Sequence, residues 1–217
     1  SVYCVHVTGG TRFLLKVLAA GNGSWEKEWQ LRRLLQEEVP MPQLYGTGID
    51  PVSGSSWALY EFVAGISLRK ALNAGVRPGD ELLEQLGRVA AAVHQHRYST
   101  VGFLDAGLHV QQILPPVTAW YQLFLGPRAR ARLGPELVDA VEKAVGTGSR
   151  ELLDLDQHPA LVHGDFRPTN IMVDGRRLSG VVDWEFAMAG HPLSDIGQFF
   201  RYRKDFGTRE RQAFERG

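Results

Sequence analysis

The stretch LVHGDFRPTNIMVDGRRLSGVVDWE, residues 161–185, concentrates the side chains that can do chemistry. Asp165 and Asn170 flank a loop that contains Pro168. Ile171–Val173 and Leu178–Val182 are apolar, β-rich runs, and Asp174-Gly175 between them is a turn signal. A hairpin returns its two outer ends to one place. Asn170 before it and Asp183 after it are therefore expected side by side, with Asp165 close by. Two carboxylates and one amide oxygen make an oxygen-rich site of the kind that a hard cation such as Mg²⁺ takes together with phosphates. The third group is left to orient a hydroxyl nucleophile. Singly, Asp165 and Asn170 would do no more than cap a turn. Their convergence with Asp183, at the end of a mostly apolar strand, is what points to a site.

The preceding chain must supply the frame. Val2–Val7 and Phe13–Leu18 read as strands around a hairpin turn at Thr8-Gly9-Gly10-Thr11. Lys16 is a charge inside an apolar strand, either a functional cation or an edge lysine turned to solvent. Ser24 is a helix cap signal ahead of Trp25, Leu31, Leu34 and Leu35, and Pro40 and Pro42 close that helix. Trp57–Val63 is a further strand. From Gly65 the pattern turns helical. Asp80 is expected to cap a helix whose inward face is Leu82, Leu83, Leu86, Val89, Ala90 and Val93. Pro135 opens another, with Leu137, Val141 and Ala144 inward, and Leu193–Phe200 forms one more. Leu161-Val162 leads into an irregular loop. There is no internal repeat.

His163-Gly164-Asp165-Phe166-Arg167-Pro168-Thr169-Asn170 resembles the HGDxxxxN loop of the aminoglycoside phosphotransferase and choline kinase superfamily, and Asp183-Trp184-Glu185 resembles its metal-binding segment. The resemblance implies an α+β, bilobal, protein-kinase-like fold. Residues 1–63 would form a nucleotide-binding lobe of small antiparallel sheet, one helix and hinge. Residues 64–217 would form a larger, mainly helical lobe carrying the catalytic hairpin and the acceptor site. It also implies transfer of the γ-phosphoryl group of ATP, or of GTP, to a hydroxyl on a small molecule, with Asp165 as catalytic carboxylate and Asn170 and Asp183 as Mg²⁺ ligands. Lys16 matches the strand lysine that holds the phosphates. Glu28 matches the helix acid that pairs with it, and Glu26 competes for that position. Leu59-Tyr60-Glu61-Phe62-Val63 is similar to the hinge, where backbone groups of Glu61, Phe62 and Val63 would meet the adenine. Val93-His94 is similar to the pair that ends a long helix in this family, with His94 a core histidine. His163 supports the loop, and Asp195 resembles the buried acid that braces it from behind. Trp184 and Phe186 are packing residues. Arg167 touches a phosphate or the acceptor, or is a surface charge. By the same resemblance, Ser1-Val2-Tyr3-Cys4-Val5 begins after the family's phosphate-covering loop, which Gly9-Gly10 does not replace. Acceptor-enclosing helices would follow Phe200, so a part of a longer kinase is expected.

The chain has 217 residues, 44% hydrophobic and 22% charged, which suits a globular protein rather than a disordered one. Lys plus Arg and Asp plus Glu are 24 each, so the basic excess of a nucleic-acid binder is absent. Arg201, Arg203, Lys204, Arg209 and Arg211 alternate with Asp205 and Glu210 and read as a solvated helix face. One cysteine, Cys4, excludes an internal disulfide and fits a reducing cytoplasm. No apolar run is long enough to span a bilayer, and Ser1–Val7 lacks a signal-peptide layout. A cationic aminoglycoside acceptor wants an acidic cleft, for which Glu136, Asp139, Glu142, Glu151, Asp154 and Asp156 are the candidates. The rival acceptors are metabolic hydroxyls: homoserine, choline, a methylthio-sugar or a glycated amine. A nucleotide-binding pseudokinase without turnover is the rival of another class. A dinucleotide-binding protein is excluded, because no glycine-rich strand-to-helix turn is present. The oligomeric state is left open.

Overall fold

The computed structural model describes residues 1–19, 25–117, 119, 125–202 and 204–217, with the side chains at 152, 155 and 156 outside that description. Ser24, Arg203 and the Asp156 side chain, singled out in the sequence, therefore lie outside the described residues.

The first part is an antiparallel sheet of β1 (Val2–His6), β2 (Arg12–Leu18), β3 (Leu44–Ile49) and β4 (Ser56–Glu61) in the order β1-β2-β4-β3, with helix α1 (Trp25–Leu35) against it. Alternation decides its faces. Lys16 lies opposite Ala58, and Leu14 opposite Tyr60. Ala58 and Tyr60 are buried on that face with Trp25 and Leu44, and Leu14 and Leu18 pack beside them. Strand β3 was not expected, because Gly46 and Gly48 dilute its apolar alternation. Those glycines have a packing reason. A Cβ on Gly48 would stand 2.6 Å from the Trp57 ring, so the indole lies over bare backbone. Helix α1 buries Leu31 and Leu35 but leaves Leu34 39% exposed, and it stops at Leu35, well before Pro40.

After the first sheet the chain makes a short strand before its next helix, rather than turning helical at Gly65. Strand β5 (Ile66–Ser67) pairs with β9 (Ile171–Asp174), which pairs with β10 (Arg177–Val181). The Val181 N–H also donates to the Pro40 carbonyl at 2.7 Å. The chain just before β3 and just after β4 is thus tied to the predicted hairpin. Ser67 caps α2 (Leu68–Asn73) through its hydroxyl, which accepts from Lys70 N. Helix α3 (Asp80–His94) buries the expected face, but Gly79 is its N-cap. Asp80 is instead the first helical residue, where its carboxylate suits the helix dipole and pairs with Arg209 and Arg216.

Helices α4 (Pro127–Leu133), α5 (Pro135–Thr147) and α6 (Ser149–Asp156) follow. Along α5 the buried residue is Val138, while Leu137 is 52% exposed and Ala144 is exposed. The stripe expected from Leu137 and Ala144 is therefore rotated by one residue. A second four-stranded sheet joins β6 (Gly102–Leu104), β7 (Val110–Ile113), β8 (Ala160–Val162) and β11 (Met188–Gly190) in the order β7-β6-β11-β8. Leu161-Val162 is accordingly strand, not merely a lead into a loop. Helix α7 (Pro192–Phe199) and α8 (Thr208–Arg216) complete the chain. The tail is more than a solvated face. Asp205 and Phe206 are buried, and α8 sets Ala213 and Phe214 into the main core with Leu83, Leu86 and Phe199.

Candidate active site

Lys16 sits mid-strand on the inward face of the first sheet. Its Nζ lies 2.8 Å from Asp183 Oδ1, 3.4 Å from Glu185 Oε2 and 4.0 Å from Glu28 Oε1. Burial works against the ammonium charge, but the hydrogen bond to Asp183 and the charges of Glu28, Asp183 and Glu185 outweigh it and hold the pKa above the usual lysine range. The lysine is therefore turned inward, not to solvent at an edge. Of the two candidate acids on α1, Glu28 faces Lys16, whereas Glu26 is exposed. The Tyr60 hydroxyl donates to Glu28 Oε2 at 2.6 Å. Burial raises the Glu28 pKa, against the opposing pull of that hydrogen bond and of Lys16.

The loop from His163 to Asn170 is held from behind by one buried side chain. Asp195 is 2% exposed. Its Oδ2 accepts from His163 N at 2.8 Å and its Oδ1 from Gly164 N at 3.0 Å. His94, at the end of α3, places Nε2 3.1 Å from Asp195 Oδ2. His163 is 1% exposed and bonds within the loop. Its Nδ1 accepts from Asp165 N at 3.2 Å, so Nε2, 3.1 Å from the Val182 carbonyl, carries the proton. Burial lowers its pKa, which keeps the ring neutral. Trp184 packs on it with ring centroids 4.4 Å apart. Phe186, by contrast, is 57% exposed and does not serve as packing.

Gly164 is required by its backbone. Its φ is +77°, and a Cβ there would stand 2.2 Å from the Phe186 carbonyl oxygen. Gly164→Ala is expected to lose about 1–3 kcal/mol from the left-handed backbone alone, with the neighbouring Asp165 displaced. Denaturant unfolding of the variant checks this, and a midpoint equal to that of the parent would contradict it.

The hairpin ends converge as their pairing demands. Val182 N donates to the Asn170 carbonyl at 3.0 Å, which sets Asp183 beside Asn170. Asn170 Nδ2 donates to the Asp165 carbonyl at 2.9 Å and to its Oδ2 at 2.8 Å, leaving Oδ1 of the amide as an acceptor. Arg167 Nη2 donates to Asp165 Oδ2 at 2.6 Å, so this arginine is a partner of the carboxylate and not an isolated surface charge. Asp183 takes a left-handed backbone, φ 68°, and keeps its side chain 38% exposed.

A cavity of about 270 Å³ lies between the first sheet and the hairpin. Apolar Val2, Leu14, Leu44 and Val63 line it together with Lys16, Glu28, Asn170 and Asp183. Phe62 does not line it; the ring instead carries the Arg12 guanidinium at 4.1 Å. None of Glu136, Asp139, Glu142, Glu151 and Asp154 lines it either, and Asp139 and Glu142 are paired with Arg130 at 2.7 and 3.3 Å. Among the described residues no cluster of three or more His, Cys, Asp or Glu could by itself hold a metal ion. No described helix is long and apolar enough to cross a membrane.

Sequence reasoning passed over Lys27 and Gln198. Lys27 Nζ donates to the carbonyls of Glu185 at 2.8 Å and Ala187 at 3.1 Å, pinning α1 to the turn after Asp183, and burial lowers its pKa. Gln198 Nε2 donates to the Gly164 carbonyl at 2.8 Å. A lysine between two glutamates on a helix reads as solvated, and nothing in the local pattern marks its partners.

The model of the phosphotransferase enzyme family (APH) matches residues 1–217. Acyl-CoA dehydrogenase family member 11 of Rattus norvegicus is 29% identical over 162 residues, covering 73% of this chain and 20% of that protein. Hygromycin-B 4-O-kinase of Escherichia coli is 24% identical over 220 residues, covering 96% of this chain and 62% of that protein. The chain thus spans about a fifth of the first relative's length and less than two thirds of the second's. Among solved structures, the aminoglycoside phosphotransferase APH(4)-Ia in ternary complex with AMP-PNP and hygromycin B superposes with a TM-score of 0.66 at 20% identity, over 98% of this chain and 75% of that one.

Proposed function

We propose that this chain, which belongs to the phosphotransferase enzyme family, transfers the γ-phosphoryl group of ATP to a hydroxyl on a small molecule. The observation that carries the reading is that Lys16, Asn170 and Asp183 line one cleft together with the apolar side chains of Val2, Leu14, Leu44 and Val63. In this reading residues 1–63 form the nucleotide lobe, and residues 64–217 carry the hairpin and the acceptor. The base lies against Leu14 and Val63, with the backbone of Glu61 to Val63 at its edge. Lys16, backed by Glu28, neutralises phosphate charge.

The donor set fits Mg²⁺: one carboxylate, Asp183, and one amide oxygen, Asn170 Oδ1, are hard oxygens, and such an ion keeps waters and phosphate oxygens as its other ligands. When bound, the ion would screen the phosphates and hold them in line. Asp165 accepts the hydrogen bond of the acceptor hydroxyl and aims it, and takes up its proton as the new bond forms. Arg167 and Asn170 hold that carboxylate in one orientation. The single cysteine, Cys4, supports a reducing, cytoplasmic setting.

The test is a pair of thermal melts with and without Mg·ATP, followed by a screen for ADP release across hydroxyl acceptors. At 100-fold excess over Kd a ligand adds about 2.7 kcal/mol, or about 5–11 °C for a chain of this size. A melt that Mg·ATP does not move would sink the proposal.

A further inference from the structure

The surroundings of Asp165 carry positive charge where a polycation would need negative. Arg167 pairs with both oxygens of the Asp165 carboxylate, Nη2 to Oδ2 at 2.6 Å and Nε to Oδ1 at 2.5 Å, yet its side chain stays 42% exposed. Any hydroxyl that reaches Asp165 therefore arrives beside a guanidinium. The segment after α7 adds more. Gln198, in the last turn of α7, holds the start of that segment near the loop through the Gly164 carbonyl, at 2.8 Å. Arg69, whose N–H donates to the Pro168 carbonyl at 2.8 Å, lays its guanidinium 5.3 Å from the centre of the Tyr202 ring. The Arg201 guanidinium stands 5.7 Å from the same ring. Arg201, Tyr202 and Lys204 are all exposed.

The acids of this region are turned elsewhere. Asp195 is spent on the loop N–H groups, and Asp205 is 7% exposed and paired with Arg69 at 2.7 Å. Asp183 and Glu185 face Lys16. Of the acids considered for a polycation, Asp139 and Glu142 are paired with Arg130, and Glu136, Glu151 and Asp154 do not line the cleft. Among the described residues, Arg201 and Lys204 remain as exposed positive charge on the segment that follows α7.

We infer that the acceptor carries an anionic group, a carboxylate or a phosphate, which Arg167 and Arg201 bind beside Tyr202 while its hydroxyl meets Asp165. The inference rests on the reading of Asp165 as the acceptor-side carboxylate.

Four short acceptors with similar hydroxyls test it: glycerol 3-phosphate, glycerate, glycerol and 3-aminopropane-1,2-diol, each with Mg·ATP and the full chain. The two anions are expected to exceed glycerol in kcat/KM by about tenfold or more, which at about 1.4 kcal/mol per decade is the low end of what close charge pairs contribute. The amine is expected to fall below glycerol. The better of the two anions tells phosphate from carboxylate. Arg201→Gln should erase the order, while Arg209→Gln, which removes the same charge from α8, should keep it. Equal rates, or a preference for the amine, overturn the inference. So does an Arg167→Gln variant altered only in its KM for Mg·ATP. Calorimetric titration with glycerol 3-phosphate and glycerate, with and without Mg·ADP, decides the charge of the site independently of turnover: binding of neither anion overturns it. Mg·ATP titrated in parallel keeps the outcomes apart, because its failure to bind sinks the phosphotransferase reading and leaves the anion titrations standing.

Discussion

Alanine at position 165 is expected to cut phosphoryl transfer by about 10²–10⁴-fold while Mg·ATP still binds. The expectation follows from where the carboxylate sits. Asp165 is outside the pairings that hold Lys16, and its own partners are Arg167, two residues on, and Asn170, five residues on. Removing it leaves the cleft between the first sheet and the hairpin lined as before, because Asp165 is not among the lining residues. In the proposed reading, what is lost is the acceptor of the hydroxyl's hydrogen bond and the base for its proton. Asp165→Asn should fall nearly as far, since an amide preserves shape but not basicity. Single-turnover ADP formation, read against calorimetric binding of Mg·ATP, separates the two effects. Transfer at the parent rate in either variant would remove Asp165 from the reaction.

The second large effect is structural and arises at Asp195. Its two oxygens accept from His163 N and Gly164 N and lie against His94. Asp195→Ala leaves two loop N–H groups facing an apolar gap, and the imidazole of His94 without its partner. Breaking such a buried charged network costs about 3–5 kcal/mol, which lowers Tm by about 6–20 °C in a chain of this length. Asp195→Asn keeps one acceptor but turns an NH₂ toward a donor, so it should lie between the two. A melt of Asp195→Ala within a degree or two of the parent would show that water or neighbouring groups replace the carboxylate. The variant is also expected to lose transfer activity even at temperatures where it stays folded, because the loop that carries Asp165 loses its backing.

Much of this site was legible because hairpin geometry is local. Two apolar runs and an Asp-Gly turn are enough to bring Asn170 and Asp183 together. Lys16 stood out as the charge in an apolar strand. The pairing of Arg167 with Asp165 was not legible, since it depends on how tightly the loop curls around Pro168. Nor was the hydrogen bond from Tyr60 to Glu28, which joins a strand to a helix far apart in the chain. The second sheet escaped for another reason. Strands β6, β8 and β11 are three residues each, too short for alternation to register. Asp205 looked solvated because charged residues surround it in sequence, and its burial follows from Arg69, which no local pattern could supply.

The pairing of Lys16 with Asp183 and Glu185 has a consequence for affinity measurements. The protein carries its own counterion in the cleft. In the proposed reading, a nucleotide arriving with a divalent cation would not meet a bare carboxylate; it would displace an ammonium already there and leave that ammonium free to pair with the phosphates. The measured affinity is then the balance of an exchange, weaker than the phosphate and metal interactions would give on their own. The number of charges that lose their salt atmosphere on binding is smaller as well, so the ionic-strength dependence should be shallower than the three charged side chains would imply.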